Sequence, residues 1–133
     1  MEGGCYCGAV RYKVEGEPMM KGECFCRECQ YATGGNSLFV MIVPTEGFEI
    51  TKGEVRGYSR PDIEGAVTRQ FCPECGTQMF TRAPSLPNGV IVKVGTLDDP
   101  AAFGGPAMAI QADDAQPFHR LPDHIPVFQK WMS

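Results

Sequence analysis

Seven cysteines fall in three groups: Cys5 and Cys7; Cys24, Cys26 and Cys29; Cys72 and Cys75. The odd count excludes a complete set of disulfides. Cysteines one residue apart on an extended strand point the same way, which suits a shared metal ion better than disulfide closure. Cys72-Pro73-Glu74-Cys75-Gly76 has the form of a metal-binding knuckle, with Pro73 setting the turn and Gly76 letting backbone N–H groups approach the sulfurs. Cys5-Tyr6-Cys7-Gly8 is the natural second half. Together the four thiolates would close a tetrahedral zinc shell, a structural site whose binding free energy is folding free energy.

Cys24, Cys26 and Cys29, in the stretch CFCREC, remain. Three protein ligands with an open fourth position is the arrangement of a catalytic zinc. Zn²⁺ with three thiolates carries a net charge of −1, so it is a weaker Lewis acid than zinc held by neutral histidines. Its softness favours a sulfur ligand, and an incoming thiol would be ionised and still nucleophilic. Chemistry on a thiol substrate is therefore favoured over hydrolysis. Three alternatives stay open on spacing alone. The trio could be a second structural site completed by His119, His124 or an acidic residue; Cys72 and Cys75 could be a redox pair; and the three groups could be paired differently.

These thiols need a scaffold, and 133 residues set its size: a single domain over residues 1–133. Sixteen glycines and eleven prolines spread along the chain indicate many turns and short elements, hence a mainly β fold. Val10, Tyr12 and Val14 alternate with Arg11 and Lys13, as in a half-buried strand. Leu38 to Val43 is a continuous apolar run, a buried strand ended by Pro44. Further strands are expected at Phe48–Thr51, Val67–Phe71, Gln78–Thr81 and Val90–Val94. One short helix is expected from Arg27 to Thr33, ended by Gly34-Gly35, and a second after Asp98-Asp99, beginning at Pro100. The tail from Leu121 is too proline-rich for a long helix.

The formal net charge of −4, with no basic stripe, argues against nucleic acid as a partner, and no basic amphipathic segment points to a membrane surface. The N-terminus has no basic and apolar leader, and the longest apolar run is too short to span a bilayer. A cytoplasmic location follows as the expectation, and clustered cysteines in a reducing compartment argue for metal rather than disulfides.

The sequence resembles the glutathione-dependent formaldehyde-activating (GFA) enzyme family, also called the CENP-V/GFA domain, in four pieces: GGCYCGAVRY, CFCRECQYATGG, RQFCPECGTQMF and VKVGTLDDP. They follow the family's order over roughly residues 3–100. The resemblance implies an Mss4-like β-tent of short antiparallel sheets around two zincs. It implies a structural zinc on Cys5, Cys7, Cys72 and Cys75 and a catalytic zinc on Cys24, Cys26 and Cys29. The activity implied is a carbon–sulfur lyase reaction that condenses glutathione with formaldehyde to S-hydroxymethylglutathione. Two positions depart from the family pattern. Phe25 stands where the family usually has His, which removes a possible proton carrier. Arg27 stands where a small or hydroxyl residue is common. A related enzyme on another thiol adduct and a non-catalytic zinc-binding interaction module are the alternative functions.

Other residues carry weaker signals. Arg27 and Arg69 are candidate anchors for a carboxylate of the thiol substrate, as is Lys93; each reads first as a solvated charge. Thr33-Gly34-Gly35 reads as a turn or as N–H donors facing the site. His119 and His124 read as surface or packing residues, Asp98 and Asp99 as a turn or helix cap. Phe128 and Trp131 read as the anchor of the tail.

Overall fold

The computed structural model describes residues 1–131; Met132 and Ser133, the end of the proline-rich tail, lie outside them. Ten strands and one α-helix make up the fold. The strands are β1 (Glu2–Gly4), β2 (Arg11–Val14), β3 (Met20–Cys24), β4 (Leu38–Pro44), β5 (Phe48–Lys52), β6 (Arg56–Tyr58), β7 (Thr68–Phe71), β8 (Gln78–Arg82), β9 (Gly89–Lys93) and β10 (Met108–Ile110); the helix α1 is Arg27–Thr33. The mainly β expectation holds. A three-stranded sheet has the order β1-β2-β5, and a seven-stranded sheet has the order β10-β3-β4-β9-β8-β7-β6. Pairing is antiparallel except between β10 and β3, which run parallel with Ile110 opposite Cys24.

The six strands expected from alternation and apolar runs are β2, β4, β5, β7, β8 and β9, and α1 has the expected bounds. Four strands were not expected: β1, β3, β6 and β10. Each is short, and the sequences EGG, MKGEC, RGY and MAI lack the β-branched alternation that marks a strand locally. Tertiary pairing makes them strands. Pro100 opens a 3-10 turn, Pro100–Phe103, rather than an α-helix.

The sheets pack through one core. Tyr12 on β2 and Phe48 on β5 meet Phe80 on β8, with ring centroids 5.6 Å (Tyr12–Phe48), 5.8 Å (Tyr12–Phe80) and 4.8 Å (Phe48–Phe80) apart. Such aromatic contacts add to simple area burial. The segment Val94–Asp98 joins the sheets a second time. The hydroxyls of Tyr12 and Thr96 are 2.7 Å apart, Thr96 donates to the Lys93 carbonyl at 2.8 Å, and the Asp98 N–H donates to the Glu2 carbonyl at 2.9 Å. Asp98 was expected to form a turn or a cap. Its carboxylate instead forms a two-pronged ion pair with Arg11, and Asp99, at the start of the following 3-10 turn, makes no side-chain cap.

This junction has no room for a side chain on β1. A Cβ at Gly3 would sit 2.4 Å from the Thr96 carbonyl oxygen and 2.5 Å from the Tyr12 hydroxyl. Gly3→Ala is expected to lower the urea-unfolding free energy by about 1–3 kcal/mol, as over-packing does. Gly8→Ala, where the space is open and only a φ of +82° has to be borne, should cost about 1 kcal/mol. A loss for Gly3→Ala well below about 1 kcal/mol would refute the close approach at Gly3.

Candidate functional site

The first thiol group assembles from both sheets. Cys5 and Cys7 lie in the turn between β1 and β2, and Cys72 and Cys75 in the turn between β7 and β8. Their four sulfurs all lie within 4.8 Å of one another, close enough to hold one metal ion. Cys5 Sγ is 3.6 Å from Cys7 Sγ, and Cys7 Sγ is 3.8 Å from Cys72 Sγ. Four sulfurs about 2.3 Å from a tetrahedral zinc would be about 3.8 Å apart, so the spacing fits zinc and is far too long for a disulfide. The backbone of each turn serves the sulfurs. Val10 N–H donates to Cys5 Sγ at 3.2 Å, and Glu74 N–H to Cys72 Sγ at 3.3 Å. Gly76, at φ +77°, closes the Cys72 turn by donating to its carbonyl. Thr77 links the two halves: it accepts from Tyr6 N–H at 3.1 Å, and its hydroxyl lies 3.1 Å from Cys75 Sγ. The hydrogen bond from Thr77 is the main reason Cys75 is lowered to about 6.

The second group comprises Cys24 at the end of β3, Cys26 at the N-cap of α1, and Cys29 in its first turn, again with sulfurs within 4.8 Å. Cys26 Sγ accepts from Cys29 N–H at 3.3 Å, so the C-x-x-C spacing caps the helix and gathers the thiols at once. Cys24 is held down to about 4, first by its hydrogen bond with the Cys26 thiol and then by that with Cys29. Cys26 and Cys29 are both pushed up, in each case first by the hydrogen bond to Cys24. Without a cation the trio therefore keeps one negative charge; ionising all three requires a cation among them. Among the described residues, no fourth His, Cys, Asp or Glu joins this group.

His119 does not complete it. Its Nδ1 accepts from Gln116 N–H at 2.8 Å, so Nε2 carries the proton and donates to the Gly35 carbonyl at 2.7 Å. Its ring meets Phe25 edge-on at 5.6 Å. His124 is exposed beside Asp123. Packing and surface are therefore the places of these two residues, as expected. Phe25 is buried against His119 and does not line the cavity on which the thiols open. The residue between two cysteines on extended chain points to the opposite face. The N–H of Gly35 donates to the Gln30 carbonyl, which makes Thr33-Gly34-Gly35 a helix-ending turn.

Sequence reasoning missed Gln30. It is 3% exposed, and its amide is fully used. The NH₂ donates to the carbonyls of Phe25 and Asp114, both at 2.9 Å, and Oε1 accepts from Arg27 and from Gln116 Nε2. It ties the cysteine loop and α1 to the segment after β10. No local pattern marks such a residue, because its partners lie more than 80 positions away in two cases.

Cys24 and Cys29 open on a cavity of about 140 Å³ whose walls include Ile42, Ile91, Ile110 and Trp131. Lys93 and Arg69 also line it. Lys93 is 4% exposed, and its ammonium donates to the Thr81 hydroxyl at 3.0 Å. Burial, reinforced by the charge of Arg69, pushes Lys93 down to about 8, although Cys29 and Cys26 pull it back. A wider groove of about 590 Å³ runs between α1 and the chain from Tyr58 to Arg69. Arg27, with its guanidinium 5.0 Å from the Tyr31 ring, lines this groove with Arg60 and Arg69, against the single acid Glu28. Groove and cavity meet at Val67 and Arg69. The two arginines singled out in the sequence thus share one groove. Phe128 packs against Cys24 and Cys29, as a tail anchor should.

A small β fold with two separate thiol groups, each able to hold a metal ion, and one of them opening on a cavity, defines a class of metal-site protein. The family model of the glutathione-dependent formaldehyde-activating enzyme matches residues 1–113, and the chain belongs to that family. A protein of Halomonas elongata described as a putative glutathione-dependent formaldehyde-activating enzyme is 27% identical over 92 residues, 65% of this chain and 59% of that protein. The chain thus matches less than two thirds of the length of that curated relative. A crystal structure of a Rhodobacter sphaeroides protein superposes with a TM-score of 0.63 at 22% identity, covering 80% of this chain and 97% of the other, a likeness of fold.

Two predictions follow from the site. Gln30→Leu strands two carbonyls and should cost about 2–3 kcal/mol in urea unfolding, together with weaker metal retention by the central trio; unchanged stability would refute the tie. For Lys93, a folded-state value near 8 lies below the unfolded 10.5. Between these values the unfolded chain binds more protons, so Lys93 makes stability rise with pH across that window. The stability of the parent protein minus that of Lys93→Met should therefore increase from pH 7 to pH 10. A flat difference would mean that the lysine is not desolvated.

Proposed function

We propose that the protein is a zinc-dependent carbon–sulfur lyase that joins glutathione, or a similar thiol, to formaldehyde as an S-hydroxymethyl adduct, and cleaves that adduct in reverse. The observation that carries this reading is a trio of thiols, Cys24, Cys26 and Cys29, that has no fourth ligand from the described residues and two of whose members, Cys24 and Cys29, open on a cavity. Zinc held there by three thiolates would supply a soft centre that keeps a substrate thiol ionised at neutral pH. A second zinc, on Cys5, Cys7, Cys72 and Cys75, would lock the two sheets together.

The chain's own residues do the rest. The groove that carries Arg27 and Arg69 binds the carboxylates of a peptide-like thiol and brings its sulfur to the trio. Sulfur adds to the carbonyl carbon: one C–S bond forms, the C=O π bond opens, and the oxygen takes the proton that the thiol gave up. Lys93, buried and already donating to Thr81, is placed in the cavity to stabilise that oxygen and to hand it a proton. Phe25 plays no part in proton transfer. A reducing compartment, the cytoplasm, suits seven unpaired cysteines.

The test is exchange NMR on ¹³C-formaldehyde with glutathione at equilibrium. The purified protein should carry two zincs and speed exchange well above the spontaneous rate. Cys26→Ala should retain one zinc, fold, and lose the acceleration. Lys93→Met should keep both zincs and lose about 10²-fold or more, the usual size of a general acid contribution. No acceleration by a protein carrying both metals would remove the formaldehyde–glutathione assignment.

A further inference from the structure

The cavity beside the trio is larger and more apolar than a one-carbon aldehyde requires. Formaldehyde has no hydrocarbon group to bury. The cavity holds about 140 Å³, and its walls are largely aliphatic, with Leu38, Val40 and Ile42 from β4, Ile91 from β9 and Ile110 from β10. The cavity is open on one side rather than enclosed, and its volume is of the order that admits a benzene-sized molecule between aliphatic walls, about 150 Å³. These walls belong to the body of the seven-stranded sheet, so their position is fixed by strand register rather than by a loop. The polar groups of the cavity are few and of the kind the reaction uses: the sulfurs of Cys24 and Cys29, the Lys93 ammonium with its Thr81 partner, and Arg69 where the cavity meets the groove. An apolar pocket with a few convergent polar groups selects a ligand with a hydrocarbon body and one reactive end.

We propose that this cavity binds the hydrocarbon chain of an aldehyde of about six carbons, aliphatic or aromatic, so that the preferred adduct is the hemithioacetal of an apolar aldehyde rather than of formaldehyde. The proposal rests on the thiol–aldehyde reading above and names its aldehyde class. The bond changes are the same: the thiol sulfur bonds to the carbonyl carbon, the C=O π bond becomes a C–O bond, and the thiol proton ends on that oxygen, with no oxidant or reductant involved. The hydrocarbon chain displaces water from aliphatic walls, a gain that grows with each buried CH₂.

Trp131, the only tryptophan of the chain, lines the cavity and reports its filling by fluorescence. The zinc-loaded full chain is titrated with S-hexylglutathione and with S-methylglutathione, stable thioethers in place of the adducts, and separately with benzene in buffer. Expected are at least tenfold tighter binding of the hexyl than of the methyl compound, a Trp131 response to benzene, and faster equilibrium exchange of hexanal than of formaldehyde with glutathione. Ile91→Phe, which fills the cavity, should erase the hexyl advantage and the benzene response. Leu38→Ala, which enlarges it from a half-buried position, should move the preference towards S-octylglutathione; it carries the test if Ile91→Phe does not fold. Equal binding of the methyl and hexyl compounds, or a hexyl advantage unaffected by both variants, overturns the proposal and leaves the glutathione reading intact. If neither thioether binds while benzene responds and Ile91→Phe abolishes the response, glutathione is the wrong thiol and the apolar cavity stands. No response to benzene or to either thioether overturns the cavity assignment.

Discussion

The two sheets of this protein meet at four sulfurs. Cys5 and Cys7 come from the three-stranded sheet, Cys72 and Cys75 from the seven-stranded one, and the backbone of each turn is bent so that its N–H groups face the thiols. Four thiols within 4.8 Å of one another cannot all ionise without a cation among them. A cation held there would tie the ends of both sheets together, next to the core of Tyr12, Phe48 and Phe80 that already packs between them. The Val94–Asp98 segment bridges the same two sheets a second time, so the junction is closed at two places.

That bridging segment links structure to chemistry. It follows directly on β9, whose last residue, Lys93, turns its ammonium into the cavity beside the second thiol group. One short stretch therefore holds Thr96 against Tyr12, Asp98 against Arg11, and Lys93 against Thr81. A buried lysine is costly unless something uses it. Here the ammonium lies in the cavity that Cys24 and Cys29 also line, and its hydrogen bond to Thr81 offsets part of the cost.

The two thiol groups differ in what surrounds them. The four-sulfur group has a complete set of ligands. The three-sulfur group sits at the junction of a strand and a helix start, with Cys26 serving as the helix cap and Gln30 bolting the loop to distant carbonyls. Such support keeps the three thiols in place although their ligand set is incomplete. The cavity it faces is shaped by β4, β9 and β10, strands remote from one another in sequence, so its volume is a property of the sheet.

The three local groups of cysteines were legible in the sequence, because C-x-C, C-x-x-C and the glycines that follow fix backbone turns within a few residues; that Cys5 and Cys7 join Cys72 and Cys75, 65 residues from Cys7 to Cys72, was decided by tertiary structure. The helix Arg27–Thr33 was legible for the same reason, its cap and its Gly34 stop being adjacent in the chain. The six strands with β-branched or apolar runs were legible from alternation. The four short strands, the full use of Gln30, the Arg11–Asp98 pair and the apolar cavity were decided by tertiary structure alone. Apart from the pairing of β1 with the neighbouring β2 and the links from Gln30 to Phe25 and Arg27, the contacts join distant parts of the chain, and no local propensity encodes a partner that only packing brings near. The sequence by itself determined which thiols would gather in each local group; the packing of two sheets decided which groups meet and what space they face.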